Sequence, residues 1–289
     1  MTAETVPTPQ ERALRHVAAL AAGGPLDPAL RVTLNFHPDR LIDGRPILEA
    51  MAEDGVYRSQ FVTGTSNGGL TAHPGGDRWR WESRIFAGAY DDAPADLRPV
   101  YGALDFRRDP YGAAPRFGSA FFRLTADALG RATFCYPDSW LEPADFGVAA
   151  AASALIALAE ADDQDALDDY IEAQVHGPVR LAEDVEALVL DPCYRDTEVE
   201  AAARKLPCPL EFHPGYRLPT AELARHPDYR GPAYVALGTS LAPDGHLDPG
   251  LLGIAARTTR HDPQDLKKVW HYLARFGRTA APDPQARRP

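Results

Sequence analysis

The segment 169–181, DYIEAQVHGPVRL, constrains the fold most strongly because its polar and apolar residues alternate. Successive side chains of a strand point to opposite faces. An extended segment would therefore place four polar or aromatic side chains on one face: Tyr170, Glu172, Gln174 and His176. Apolar residues at helical spacing leave a helix open as the alternative, but the Gly177-Pro178 turn and the β-rich run after it favour a strand.

Other short segments add to this picture, and most are bounded by Gly or Pro. Strands are predicted in RVTLNF, RPVYGALDF, RFGSAFFRL, RATFCY, VEALVLDP and AYVALG, with VEALVLDP expected to pair with the 169–181 segment. Helices are predicted in QERALRHVAALAA, GRPILEAMAEDG, the alanine-rich residues 148–161 and HDPQDLKKVWHYLARFG. The sequence thus predicts one α+β domain over residues 1–277, with its core at about 31–240 and a disordered tail at 278–289.

The composition limits the partners that we expect. Hydrophobic residues make up 45% of the chain and charged residues 25%, which is typical of a folded globular protein. The net charge of −11 argues against broad binding to nucleic acid or to an anionic membrane. Three scattered cysteines and the lack of a long apolar segment favour a cytoplasmic protein without a disulfide framework.

His37 lies in LNFHPDR, directly after a predicted strand. Such positions often carry functional side chains, because the strand fixes the position of the side chain and the following loop leaves it accessible to a ligand. A capping or packing role is one interpretation of this histidine. A metal site is another, because His37 and Asp39 could provide two ligands and His176 or His213 a third.

Two further stretches carry side chains suited to a ligand. The loop TGTSNGGLTAHPGGDR contains Thr65 and Ser66, and Arg78 near its end could hold an anion, although the spacing of a P-loop is absent. Tyr101 and Tyr111, in YGALDF and the loop after it, could stack on a planar ring. Arg116 and Ser119, in APRFGSAFFRL, could bind polar groups beside that ring, although packing in the core remains the alternative for the aromatic residues.

Taken in order, these stretches resemble a known fold. FHPDRLIDGRPILEAMAEDGVY resembles the opening of the ADP-ribosyltransferase fold, and YIEAQVHGPVRLAEDVEALVLDP resembles its late strand. Nearly the whole chain is also similar to an uncharacterised bacterial family known only as a domain of unknown function. The first resemblance implies an α+β fold with split β-sheets and flanking helices, and NAD as the substrate from which ADP-ribose passes to an unknown acceptor.

The resemblance also implies roles for individual residues. His37 corresponds to the residue that holds the nicotinamide ribose, and Glu172 to the late glutamate that stabilises positive charge on that ribose as nicotinamide leaves. Tyr101 or Tyr111 would stack on nicotinamide, and Thr65 with Ser66 would form the Ser-Thr-Ser element. Gln174 stands two residues after the glutamate, whereas many transferases carry a polar partner two residues before it.

Three functional hypotheses follow from the sequence. The first is an NAD-dependent ADP-ribosyltransferase with Glu172 and His37 as its catalytic residues. The second is a metal-dependent hydrolase that uses His37 and Asp39. The third is a non-catalytic binding module that keeps the fold without the chemistry.

Overall fold

A computed structural model describes residues 6–64, 70–258 and 260–279 of the chain. Its strands are β1 (Val32–Phe36), β2 (Leu41–Ile42), β3 (Arg45–Pro46), β4 (Val56–Tyr57), β5 (Val100–Leu104), β6 (Ala120–Leu124), β7 (Ala132–Tyr136), β8 (Asp145–Val148), β9 (Ile171–Val175), β10 (Val179–Arg180), β11 (Val185–Leu190), β12 (Leu210–Phe212), β13 (Leu218–Pro219) and β14 (His246–Leu247).

The helices are distributed along the chain between these strands. They are α1 (Pro9–Leu20), α2 (Ile47–Asp54), α3 (Gln60–Thr63), α4 (Asp77–Ile85), α5 (Asp127–Gly130), α6 (Ser153–Ala161), α7 (Glu198–Ala203), α8 (Thr220–Leu223), α9 (Pro232–Ser240), α10 (Pro249–Arg257) and α11 (Pro263–Phe276). Gly55 ends α2 with a φ of 68°, which a residue without a Cβ adopts at low cost.

Eight strands form one sheet in the order β12-β11-β6-β1-β5-β9-β7-β8. All neighbours are antiparallel except β11 and β12. The α+β class is therefore confirmed. The expected division into split sheets is not seen, because the eight strands are hydrogen-bonded into one continuous sheet.

The two faces of this sheet differ in chemistry. One face carries alternate apolar residues of the central strands and packs against α2, α6 and α7 in the main hydrophobic core. On the opposite face, α1 and α4 pack near β7 and β8 in a smaller cluster. Helices α8 to α11 form a third apolar cluster around Trp270 and Tyr272. This division leaves the polar side chains of β9 beneath α4.

Three predictions about single elements need correction. AYVALG is part of helix α9, because Pro232 at its first turn favours helix initiation and its apolar residues face the C-terminal helices rather than a sheet. Strand β11 pairs with β6 and β12 rather than with β9, because β10 leaves the sheet to pair with β4. The alanine-rich helix begins only at Ser153, since the residues up to Val148 belong to strand β8.

Within the described ranges, no helix is both long and apolar enough to cross a membrane.

Candidate functional site

The polar face predicted for residues 170–176 exists and is buried. Ile171–Val175 forms strand β9, and all five of its residues are buried. Tyr170, Glu172, Gln174 and His176 are buried as well. We call these four side chains and the polar groups that contact them the polar layer.

Glu172 is held on every side within the polar layer. Its carboxylate accepts hydrogen bonds from Ser139 Oγ at 2.8 Å and from Gln174 Nε2 at 3.0 Å. Arg78 Nη1 lies 3.7 Å from the carboxylate and donates a 2.6 Å hydrogen bond to Ser139 Oγ. Burial raises the pKa of Glu172, although the Arg78 guanidinium opposes this shift. A carboxylate with this many partners is positioned firmly, but its oxygens are already occupied.

The polar layer continues along β9 to His176. Thr133 Oγ1 donates to Gln174 Oε1 at 2.7 Å and lies 3.0 Å from His176 Nε2. The Tyr90 hydroxyl lies 2.6 Å from His176 Nδ1. Burial lowers the pKa of His176 to about 3, so the imidazole is neutral at pH 7. Both ring nitrogens are therefore used in a hydrogen-bonded network between the sheet and the residues after α4.

A second buried charge pair lies next to the polar layer. Arg98 Nη1 lies 2.6 Å from Glu82 Oε2, and the two side chains are only 4% and 0% exposed. Glu82 also accepts a 2.8 Å hydrogen bond from the Tyr101 hydroxyl. Burial raises the pKa of Glu82 to about 7 against the effect of Arg98. This pair was not predicted from the sequence. The signal that could have identified it is the position of Glu82 in α4, next to Trp81 and three residues before Ile85, both of which are buried.

Arg78 also differs from its predicted role. It lies in the first turn of helix α4 rather than in a loop, and its side chain is buried. Its guanidinium lies 4.0 Å from the centre of the Tyr101 ring. Arg78 therefore connects Glu172 to Tyr101 by an ion pair on one side and a cation–π contact on the other.

A cavity of about 500 Å³, which we call the main cavity, lies beside the polar layer. It is enclosed by α2, α3, the β2–β3 hairpin, β4 and the adjacent ends of β1 and β5. His37 and Tyr101 both line it, as does Tyr57. A cavity of this size, with aromatic and polar walls, is typical of a small-molecule site.

The walls of the main cavity carry more positive than negative side chains. Arg40, Arg45 and Arg58 line it together with Asp43 and Asp54. Arg58 is paired with Asp54 at 2.7 Å, and Arg45 with Glu53, which is not among the lining residues, at 2.6 Å. Arg40 belongs to the LNFHPDR motif that contains His37. Tyr57, Arg45 and Arg58 were not singled out from the sequence, because no local motif marks them as neighbours of His37.

The aromatic lining of the main cavity is uncharged at neutral pH. Burial, with Arg40 nearby, lowers the pKa of His37 well below its ordinary value. Burial raises the pKa of Tyr57 to about 12. The ring of His37 also packs edge-on against Trp270, with 4.9 Å between ring centres. These side chains offer ring surfaces and neutral hydrogen-bonding groups, while the arginines provide the charge.

His37 and Glu172 do not meet. The strand register places Thr33 opposite Ala103, and Ala103 opposite Glu172. His37 lies four residues beyond Thr33, which corresponds to roughly 13 Å along the strand, and two strand spacings add roughly 10 Å across the sheet. Glu172 is not among the residues that line the main cavity. The structure thus brings His37 together with Tyr101 and places Glu172 behind Arg78.

The remaining candidates lie elsewhere. The Tyr111 hydroxyl lies 2.7 Å from the carbonyl oxygen of Thr279, and its ring packs on His213 and Tyr216. Ser119 Oγ is buried 3.3 Å from the Tyr194 hydroxyl. Arg116 forms an ion pair with Asp168 beside α11. Gln174 contacts Glu172 as described above. Thr65 and Ser66 lie outside the described residues.

The donor set for a metal is not assembled. No group of three or more His, Cys, Asp or Glu side chains in the described part of the chain could hold a metal ion. The Asp39 carboxylate accepts a 3.1 Å hydrogen bond from Tyr194, and His37 contacts Trp270 instead. His213 Nε2 lies 2.8 Å from the Ser119 carbonyl oxygen, and its Nδ1 accepts from Gly215 N at 3.0 Å.

The fold and site define an α+β protein with a mainly antiparallel sheet, a buried polar layer and a cavity beside it. Residues 31–161 and 148–276 match the model of a family described as "Protein of unknown function (DUF3626)". Because these matches span most of the sequence, the chain belongs to this family. No curated protein matches it.

Proposed function

We propose that the protein is a binding module that takes a nucleotide of the NAD class in its main cavity. The observation that carries this proposal is the presence of His37 and Tyr101 in one cavity whose walls also hold Arg40 and Arg58. Neutral rings suit the faces of nicotinamide or adenine, and arginine forks suit phosphate oxygens. The cavity volume of about 500 Å³ is appropriate for a ligand of this class.

Calorimetric titration of the full chain with NAD, ADP-ribose and adenosine tests the binding. We expect NAD and ADP-ribose to bind more tightly than adenosine, since adenosine lacks the phosphates. Arg58→Gln should weaken NAD binding at least tenfold. Arg204→Gln is the matched control, because Arg204 also forms an i,i+4 ion pair but lies outside the cavity. Absence of NAD binding, or equal effects of the two substitutions, would overturn the proposal.

An ADP-ribosyltransferase of the fold class suggested by the sequence is the second candidate. In that reaction the bond between ribose C1′ and the nicotinamide nitrogen breaks, and its electron pair leaves with nicotinamide. The acceptor then bonds to C1′ and releases a proton. The contact chain from the cavity through Tyr101 and Arg78 to Glu172 favours this candidate, because it ties a carboxylate to the cavity wall.

Nicotinamide release separates the two candidates. A binding module should bind NAD and release no nicotinamide, and Glu172→Gln should leave its affinity for NAD unchanged. A transferase should release nicotinamide, and Glu172→Gln should lower that rate by on the order of 100-fold while NAD remains bound. The position of Glu172 outside the cavity lining favours the binding module in the described conformation.

A further inference from the structure

A fully buried histidine without hydrogen-bond partners lies on α11. His271 is 0% exposed, and neither of its ring nitrogens has a hydrogen-bond partner among the described residues. Buried polar groups normally have partners, so an imidazole with two unsatisfied nitrogens marks a candidate position for a bound polar group. Burial, with Arg116 and Arg230 nearby, lowers the pKa of His271 to about 2.

Four basic residues lie near enough to this imidazole for their charges to lower its pKa, and the fold explains their placement. Lys267 and Lys268 precede His271 by four and three residues, so the three side chains share one face of α11. Arg116 is fixed beside α11 because Trp270 Nε1 donates to its carbonyl oxygen at 3.1 Å. Arg230 is fixed by a 3.0 Å hydrogen bond from its backbone N to the Tyr272 hydroxyl. We call His271 and these four basic residues the His271 cluster.

Positive charge exceeds negative charge in this neighbourhood. Asp168 pairs with Arg116 and also lies 3.5 Å from Arg230, so one carboxylate serves two guanidinium groups. The two lysines add further positive charge. Burial, together with Arg116 and Lys268, lowers the pKa of Lys267 to about 8. Arg230 Nε is buried without a hydrogen-bond partner in the part of the chain that the structure describes.

We propose that the His271 cluster is a binding site for a phosphate-bearing anion. Guanidinium groups bind phosphate oxygens through paired hydrogen bonds, and lysines act as point charges beside them. A neutral imidazole can donate one N–H to a phosphate oxygen, which would satisfy one of the buried nitrogens of His271. The excess of positive charge favours pyrophosphate or the diphosphate group of a nucleotide over a single carboxylate. None of the five residues lines the main cavity, so the proposal goes beyond the function assigned to that cavity.

The lysines offer a clean test, because Lys205 is the only other lysine in the sequence. Lys267→Gln with Lys268→Gln removes two charges and leaves the pairs between Asp168 and the two arginines in place. Lys205→Gln is the control, since Lys205 is exposed and pairs with Glu49 away from α11. Calorimetry of the full-length chain with inorganic pyrophosphate would measure affinity at two salt concentrations.

The wild type should bind pyrophosphate, and the double lysine variant should bind it at least tenfold more weakly and with a smaller salt dependence. Lys205→Gln should bind like the wild type. Parallel titrations with NAD identify the source of the phosphate: a loss of NAD affinity in the double variant means that the site takes nucleotide phosphates, and unchanged NAD affinity means that it takes free pyrophosphate.

Two results would overturn the site. One is a wild-type protein that does not bind pyrophosphate at millimolar concentration, and the other is a double variant with undiminished affinity. If Arg58→Gln abolished pyrophosphate binding while the double variant retained it, the phosphate would belong to the main cavity. That outcome would remove the His271 site and support the proposed nucleotide cavity, so the two proposals fail separately.

Discussion

The buried ion pair between Glu82 and Arg98 makes a sharp prediction about stability. Arg98→Met removes the guanidinium that lies 2.6 Å from Glu82 and donates a 2.8 Å hydrogen bond to the Tyr90 carbonyl oxygen. A hydrogen bond to a charged group contributes about 1.5–3 kcal/mol, and a buried carbonyl left unsatisfied costs about 1–3 kcal/mol more. We therefore expect the free energy of unfolding to fall by about 3–5 kcal/mol, as is usual when one partner of a buried pair is removed.

Urea unfolding followed by tryptophan fluorescence measures this change. Arg45→Met is the matched control, because Arg45 also lies 2.6 Å from its partner Glu53 but both side chains are more than half exposed. Solvent screens an exposed pair, so we expect no measurable loss of stability in the control. Because both ion pairs have the same 2.6 Å separation, a difference between the two variants in the free energy of unfolding reports the effect of burial.

A double variant tests the cause. Glu82→Leu added to Arg98→Met removes the unpaired buried carboxylate, so the double variant should be more stable than Arg98→Met alone. Equal losses for Arg98→Met and Arg45→Met would refute the argument from burial. A double variant less stable than Arg98→Met would show that the uncompensated charge of Glu82 is not the source of the loss.

Two further predictions concern pH and packing. Because burial lowers the pKa of His176 to about 3, its neutral form contributes stability that is present above the unfolded pKa and lost as the pH falls toward the folded one. Between pH 7 and pH 4, the free energy of unfolding of His176→Gln should therefore fall by about 3 kcal/mol less than that of the wild type. Urea unfolding at the two pH values measures this difference, and equal falls in the two proteins would contradict the argument. A Cβ at Gly253 would lie 1.5 Å from Asp39 Oδ2, whereas one at Gly130 would meet nothing within 4 Å. Gly253→Ala should therefore lower the free energy of unfolding by about 1–3 kcal/mol. Gly130→Ala should leave it unchanged or raise it by up to about 1 kcal/mol, because Gly130 lies in α5 and alanine favours a helix more than glycine does. Similar losses for the two variants would count against the close approach at Gly253.

Local patterns predicted six of the eight strands of the large sheet and several helices correctly. The alternation around Glu172 identified β9 and its polar face, because side-chain direction in a strand follows directly from the order of residues. The segments of α1, α2 and α11 were also recognisable from apolar spacing and from their start and stop residues. AYVALG failed because a short apolar run fits either a strand or a helix, and its packing partners decided the outcome.

The arrangement of the site was less predictable. His37 and Tyr101 were both chosen from the sequence, and the structure places them in one cavity. Glu172 was predicted to be a catalytic residue of the same site. In the structure it is buried beneath α4, where it pairs with Arg78, and it does not line that cavity. Such contacts join residues nearly a hundred positions apart, and no local spacing encodes them.

The sequence by itself determined that Tyr170, Glu172, Gln174 and His176 would share one face if their segment was extended, since alternation is a property of the extended backbone. Only the tertiary structure decided what those side chains do. It placed α4 against Glu172, paired that carboxylate with Arg78 of the helix, and paired Glu82 of the same helix with Arg98. The physical reason is that burial removes water as a partner, so each polar group on that face needed a partner from a distant part of the chain.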